Sequence, residues 1–284
     1  MVDESIIPEL GLLISDLAIA GLHPFSGSSA LQNRWLWGDV GCQLYSMFGI
    51  FFGNFQILVI PFIAVDRYIL AFHTSLKKYR SYGTYVKIFL ALAVSAFFWA
   101  LMPIFGWASY NYTPTGVACT IRWTKVDVSY VSYMTAYTMF MCAGPVPMSV
   151  WPYLKIFQGL KNGSVRRVDW APKGLEVLIG LGCALATHVA FTAYTFVCFY
   201  VYFGDPRDLP AAVNALPPLQ AKAAGLINPL FYHWGHPRLR ACMQKLVGCR
   251  HDESLVIPLS ARRPRFTEEK EITRSQRPEV SYFF

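Results

Sequence analysis

Three places in this sequence set an ionisable side chain in or against an apolar run. Lys222 stands alone in 218-PLQAKAAGLINPLFY-232. Apolar surroundings disfavour the ammonium form, and the neutral amine that results is a nucleophile. Asp16 lies in ISDLAIAG, and Asp66, Arg67 and Tyr68 follow one another at the end of a long uncharged stretch. A charge at the centre of a membrane span costs about 2.5–3.5 kcal/mol on insertion scales, so its default reading is functional. For Asp66 and Arg67 a plainer reading stands beside that one, because charged residues at span ends snorkel to the interface. Pro229 distorts its helix and frees backbone groups, and Asn228 either occupies those groups or reaches a buried partner such as Asp16.

The elements that must position these residues are membrane spans. The chain has 284 residues, of which 54% are hydrophobic and 15% charged, and its mean hydropathy is positive. That excludes an ordinary soluble domain. Asp, Glu, Lys and Arg are absent from 40–65, 88–121, 128–154 and 177–204, and each gap holds the roughly 20 apolar residues of a spanning helix. Stretches 6–25, with Asp16, and 211–232, with Lys222, complete six expected spans. Lys77, Lys78, Arg80 and Lys87, then Lys155, Lys161, Arg166, Arg167 and Lys173, then the basic residues after 233 mark one side as cytoplasmic. Six spans put both termini on that side. The acidic start, with Asp3, Glu4 and Glu9 and no basic residue, disagrees with this and predicts that the natural chain begins earlier. The net charge of +8 belongs to topology and lipid headgroups rather than to nucleic acid. No internal repeat supports a transporter.

Residues 1–249 form the expected bundle, closed by an amphipathic surface helix at about 235–248 with Leu239, Met243 and Leu246 on one face. Residues 250–284 have the composition of a disordered cytoplasmic tail. Of the seven cysteines, Cys42 and Cys119 fall on the outer, oxidising side, and they are either a disulfide or two free thiols. Cys249 ends the surface helix as a palmitoylation candidate. Asn111-Tyr112-Thr113 is an outer-loop glycosylation acceptor. His188 has no second His or Cys at metal spacing beside it, so a metal site is not expected.

Taken together, Asp16, Cys42 with the Asp66-Arg67-Tyr68 triplet, Pro145 with Tyr153, Cys119 and Asn228-Pro229-Leu230-Phe231-Tyr232 resemble a rhodopsin-type G protein-coupled receptor over roughly 10–250. The fold this implies is an all-α membrane bundle lacking the family's first helix. Lys222, six residues before Asn228, matches the lysine to which opsins attach retinal. The stretch 99-WALMPIFGWASYNYTPTGVACTIRW-123 resembles the peropsin group of opsins and, more distantly, the retinal G protein-coupled receptor group. The resemblance implies a photoreceptor that binds all-trans- or 11-cis-retinal as a Schiff base on Lys222. Tyr45, Trp107, Phe191 and Tyr194 are then either pocket lining or plain packing. Asp66, Arg67, Tyr68, Asn228, Pro229 and Tyr232 are the implied switch facing a heterotrimeric G protein. The implied setting is the plasma membrane or membranes of photoreceptors or pigment epithelium. A retinal photoisomerase is the alternative; a truncated isoform or a receptor for another ligand is the third reading.

The sequence also departs from the family. Tyr45 and Thr113 stand where opsins carry the carboxylate that balances a protonated Schiff base. An unpaired cation in an apolar pocket is destabilised by desolvation, so the expectation is an unprotonated, short-wavelength pigment or one that recruits Asp39, Asp127 or an anion. Phe191 and Ala193 replace the family's tryptophan and kink proline, which predicts a straighter helix there.

Overall fold

A computed structural model describes residues 7–165 and 175–204, together with Ala223 and Asn228, which are helical. The expected surface helix at 235–248, Cys249, the tail, Lys222, Pro229 and Tyr232 lie outside the described residues.

Among the described residues six α-helices dominate: α1 (Ile7–Leu31), α2 (Gly38–Phe72), α3 (Tyr82–Leu101), α4 (Val128–Tyr137), α5 (Pro145–Lys161) and α6 (Leu175–Tyr200). Four of the expected spans fall on α1, α2, α3 and α6, each long and apolar enough to cross a bilayer. The span expected at 128–154 is built differently. Here α4 passes into a π-helical turn, Thr138–Ala143, and then into α5. The Gly144 N–H reaches back to the Met139 carbonyl at 3.3 Å, and Pro145 next to it has no N–H to give. Backbone dihedrals stay helical at both junctions, so the expected stretch is one helical run with a π turn in its middle.

Local chemistry sets the other boundaries. Ser81 caps α3 by accepting from the Thr84 N–H at 3.2 Å, and Asp127 caps α4 by accepting from Tyr130 at 2.9 Å. Pro24 interrupts the ladder of α1, and the Ser26 and Ser29 hydroxyls that follow donate to the carbonyls of His23 and Phe25. The 35 residues of α2 rise about 52 Å. This helix packs against α1, α3, α5 and α6, so it is the axis of the bundle. A 3-10 helix, Thr74–Tyr79, links it to α3.

The long loop between α3 and α4 holds a two-stranded antiparallel hairpin that its Tyr-, Thr- and Pro-rich composition did not announce. Strand β1 (Tyr110–Tyr112) pairs with β2 (Cys119–Ile121) in the register Tyr110 to Ile121 and Tyr112 to Cys119. A disulfide joins Cys119 to Cys42 at the start of α2, with Cα atoms 5.4 Å apart. Beneath the hairpin lies an aromatic core. Trp99 packs on Trp107, Tyr133 and Tyr137 at centroid distances of 5.8 Å each. The phenols of Tyr110, Tyr130 and Tyr133 donate to the carbonyls of Ala100, Cys198 and Trp99, so each buried hydroxyl is satisfied. Leu17, Val94, Phe140 and Phe196, in contrast, are more than half exposed. Such an apolar exterior is the lipid-facing surface of a multi-pass membrane protein.

Candidate functional site

The apolar stripe of α2 opens a cavity below the hairpin. Tyr45 and Ser46, Gly49 and Ile50, and Gly53 and Asn54 recur every four residues, so all six share one face. With Ile19, Leu22 and His23 of α1, Tyr137, Phe191 of α6 and Ala118, Cys119 and Thr120 above, they enclose about 830 Å³ including the open mouth. The lining is mostly apolar, which suits an apolar ligand. Gly53 is needed for close approach, since a Cβ there would stand 3.2 Å from the Phe191 ring. The disulfide pins β2 onto α2 as the roof.

The aromatic residues named from sequence separate here. Tyr45 and Phe191 line the cavity. Trp107 does not: its indole N–H donates to the Ser132 hydroxyl at 2.9 Å, and its ring packs on Trp99 and Tyr133. The side chain of Tyr194 lies outside the described residues.

Neither recruited carboxylate reaches the cavity. Asp39 accepts a hydrogen bond from the Tyr112 hydroxyl. Asp127 caps α4 and pairs with Lys125 at 3.2 Å, and the Tyr130 N–H with the Lys125 ammonium holds its carboxyl below the ordinary value. Among the described residues, no Asp or Glu lines the cavity. The Ser46 hydroxyl is buried without a partner, which leaves a donor facing whatever fills the space. Asn54 is already engaged, accepting from the Tyr137 hydroxyl at 2.6 Å.

Deeper in the bundle, Asp16 is 2% exposed. One carboxylate oxygen accepts from Gln56 at 2.5 Å and from Asn228 at 3.2 Å. The carbonyl of Asn228 accepts in turn from Thr187 at 3.1 Å and Cys183 at 3.3 Å. The Asn228 side chain thus links α1 to α6. Sequence reasoning missed Gln56, Thr187 and Cys183; a glutamine in the middle of an uncharged span was the available signal.

At the end of α2 away from the disulfide, Asp66 and Arg67 are 8% and 7% exposed, which sets aside snorkelling. Asp66 accepts from Arg80 Nε at 3.1 Å and Nη2 at 3.0 Å, and from the Tyr85 hydroxyl at 2.9 Å. Burial opposes the charge of Arg80, but the bidentate bond to Asp66 and its negative charge hold the guanidinium pKa above the ordinary value. Arg67 turns the other way and forms an ion pair with Glu9 in the first turn of α1. Tyr68 packs on Trp151 of α5 with centroids 5.1 Å apart. Tyr153 lies so close to α6 that a Cβ on Gly180 would meet its ring at 2.7 Å.

His188 shares a 2.8 Å hydrogen bond with Ser149 across α5 and α6. Among the described residues no cluster of His, Cys, Asp or Glu can hold a metal ion. Asn111 sits on β1, and the hydroxyl of Thr113 beside it donates to the Ala118 carbonyl at 3.1 Å.

With this geometry in hand, likeness to known proteins becomes informative. Residues 10–232 match the family described as 7 transmembrane receptor (rhodopsin family). The chain is 30% identical over 249 residues to the visual pigment-like receptor peropsin of Mus musculus, covering 85% of this chain and 74% of that protein. It is 34% identical over 225 residues to the retinochrome of Todarodes pacificus, covering 77% and 74%. Its fold is similar to the crystal structure of squid rhodopsin, with a TM-score of 0.76 at 20% identity, covering 89% of this chain and 79% of that one.

Proposed function

The chain belongs to the rhodopsin family of seven-transmembrane receptors, in its opsin branch, and from that premise we propose that it is a peropsin-like photoreceptor carrying retinal in the cavity beneath the hairpin. Bound retinal supplies the light-absorbing polyene and an aldehyde. The protein supplies the rest. Tyr45, Ile50 and Phe191 give apolar contact, and Gly49 and Gly53 leave room between helices. The Ser46 hydroxyl offers a hydrogen bond to the ligand's polar end.

Lys222 is the attachment point in this reading. It precedes Asn228 by six residues, about 9 Å of helix. Asp16, the partner of Asn228, precedes Leu22 on the cavity wall by the same interval. With no carboxylate among the described lining residues, the lysine–retinal link is held neutral or is balanced by a small anion.

Signalling uses the opposite end of the bundle. The disulfide-bearing end faces outward, and the end with Arg67 and the basic residues Lys77, Lys78 and Arg80 faces the cytoplasm and a heterotrimeric G protein. Nothing in the geometry favours the isomerase reading over this one.

The cavity carries the proposal, and reconstitution with all-trans- and 11-cis-retinal tests it. Borohydride reduction followed by peptide mass spectrometry is expected to place a retinyl group on Lys222, and Lys222→Ala to abolish it. Light-dependent nucleotide exchange on a G protein then reports signalling, and chromatography of the extracted isomers identifies the preferred one. A pigment that still forms in the Lys222→Ala protein refutes the assignment.

A further inference from the structure

The cavity beneath the hairpin offers hydrogen-bond donors but no described carboxylate. Among its described lining residues His23, Tyr45 and Tyr137 are the titratable groups. Tyr137 donates its hydroxyl to Asn54 at 2.6 Å. His23 is the one of the three whose protonated form carries a positive charge. On the facing helix the Ser46 hydroxyl is buried without a hydrogen-bond partner, in a residue 3% exposed. The two residues stand at nearly one level. Asp16 meets Gln56, and a Cβ on Gly49 would lie 4.0 Å from Leu22, so α1 and α2 run antiparallel here. Measured from the level of Leu22 and Gly49, His23 lies about 1.5 Å and Ser46 about 4.5 Å nearer the disulfide end, at about 1.5 Å per residue. Their heights differ by about 3 Å, so both reach one small ligand.

We propose that His23 and Ser46 form a binding site for a small monovalent anion, of the size of chloride, which enters the cavity together with a proton. A lone charge in an apolar cavity is costly, whereas an anion and a proton taken up together add no net charge. The proton goes to the nitrogen of the lysine–retinal link when retinal is bound, and to His23 when it is not. The Ser46 hydroxyl and the His23 ring donate to the anion in both cases. This inference rests on the retinal reading above for its spectral meaning and narrows it: the link is neutral without the anion and protonated with it.

The test uses the full chain in detergent, with chloride exchanged for the larger gluconate ion at constant ionic strength. In the retinal-bound protein chloride is expected to convert a near-ultraviolet band into a visible one. The pH of half-conversion should rise by about one unit per tenfold chloride above half-saturation. Ser46→Ala and His23→Phe are each expected to raise the half-saturating chloride by about tenfold, the loss of one hydrogen bond to a charged group. His23→Glu puts a carboxylate at the same level, so it should give a visible band in gluconate with no chloride response, a gain that misfolding cannot mimic. In the retinal-free chain at about pH 5, where an ordinary histidine is protonated, chloride at about ten times half-saturation should raise Tm by roughly 3–5 °C. His23→Phe should lose that rise. A pigment indifferent to chloride, or one chloride affinity shared by the unaltered protein and both weakening variants, overturns the site and leaves the retinal reading in place. Failure to form any pigment removes that reading, and the retinal-free melts then decide the site: a chloride-dependent rise lost in His23→Phe supports it, and no rise overturns it.

Discussion

Removing the disulfide tests how much the roof of the cavity contributes. Cys42 and Cys119 are 77 residues apart in sequence. In the chain-entropy treatment a loop of this length stabilises the folded state by about 4.5 kcal/mol at room temperature. Helices that persist in the bilayer shorten the flexible part of the loop, so the expected loss is about 2–4 kcal/mol. For a protein of this size that corresponds to a fall in Tm of roughly 5–15 °C. Cys42→Ala, Cys119→Ala and the double variant break one and the same bond, so they should lose similar amounts in thermal melts without reductant. Retinal uptake should fall further than Tm alone explains, because Ala118, Cys119 and Thr120 form part of the cavity wall. Unchanged melting of either single variant, or losses that add in the double, would refute the account of the hairpin as a pinned roof.

Other outcomes follow from the same geometry. Gly53→Leu drives a side chain into the Phe191 ring, so retinal binding should weaken at least tenfold in a spectroscopic titration while Phe191→Ala partly restores it. Asn228→Ala leaves Asp16 without one of its two donors and Thr187 without an acceptor, at a cost of about 1–3 kcal/mol in chemical denaturation. Asp127 has a lowered pKa, so its helix cap contributes above the ordinary carboxylate value of 3.8 and is lost as pH falls through the lower folded value; Asp127→Asn should flatten the Tm profile below pH 4. The retinal pigment should absorb in the near ultraviolet or shift with chloride, and Asp39→Asn and Asp127→Asn should leave the spectrum unchanged, since neither residue lines the cavity. A visible band indifferent to chloride in the unaltered protein would count against the neutral or anion-balanced link.

Hydropathy and charge were enough to locate four spans among the described residues, because crossing a bilayer demands about 20 apolar residues whatever the neighbours are. Cys42 and Cys119 were legible as a candidate pair because the charge pattern assigned only those two to the outer side, and the structure joins them. Asp16 and Asn228 announced themselves as polar groups in apolar runs, and the structure joins them at 3.2 Å. The π turn was not legible, since its cause, an N–H missing beside Gly144, does not alter hydropathy. Nor was the fate of each aromatic ring. Trp107 and Tyr45 looked alike from sequence, yet one packs in the core and the other faces the cavity.

What the sequence determined by itself was the membrane setting, the two cysteines that could pair and the polar residues worth watching. Tertiary structure alone decided partnership: Arg67 with Glu9 rather than Asp66, Asp66 with Arg80, and Asp39 and Asp127 away from the cavity. The reason is geometric. The type of a residue fixes its wish for a partner, but the rotation of each helix about its own axis and its slide along its neighbour determine which wish is met.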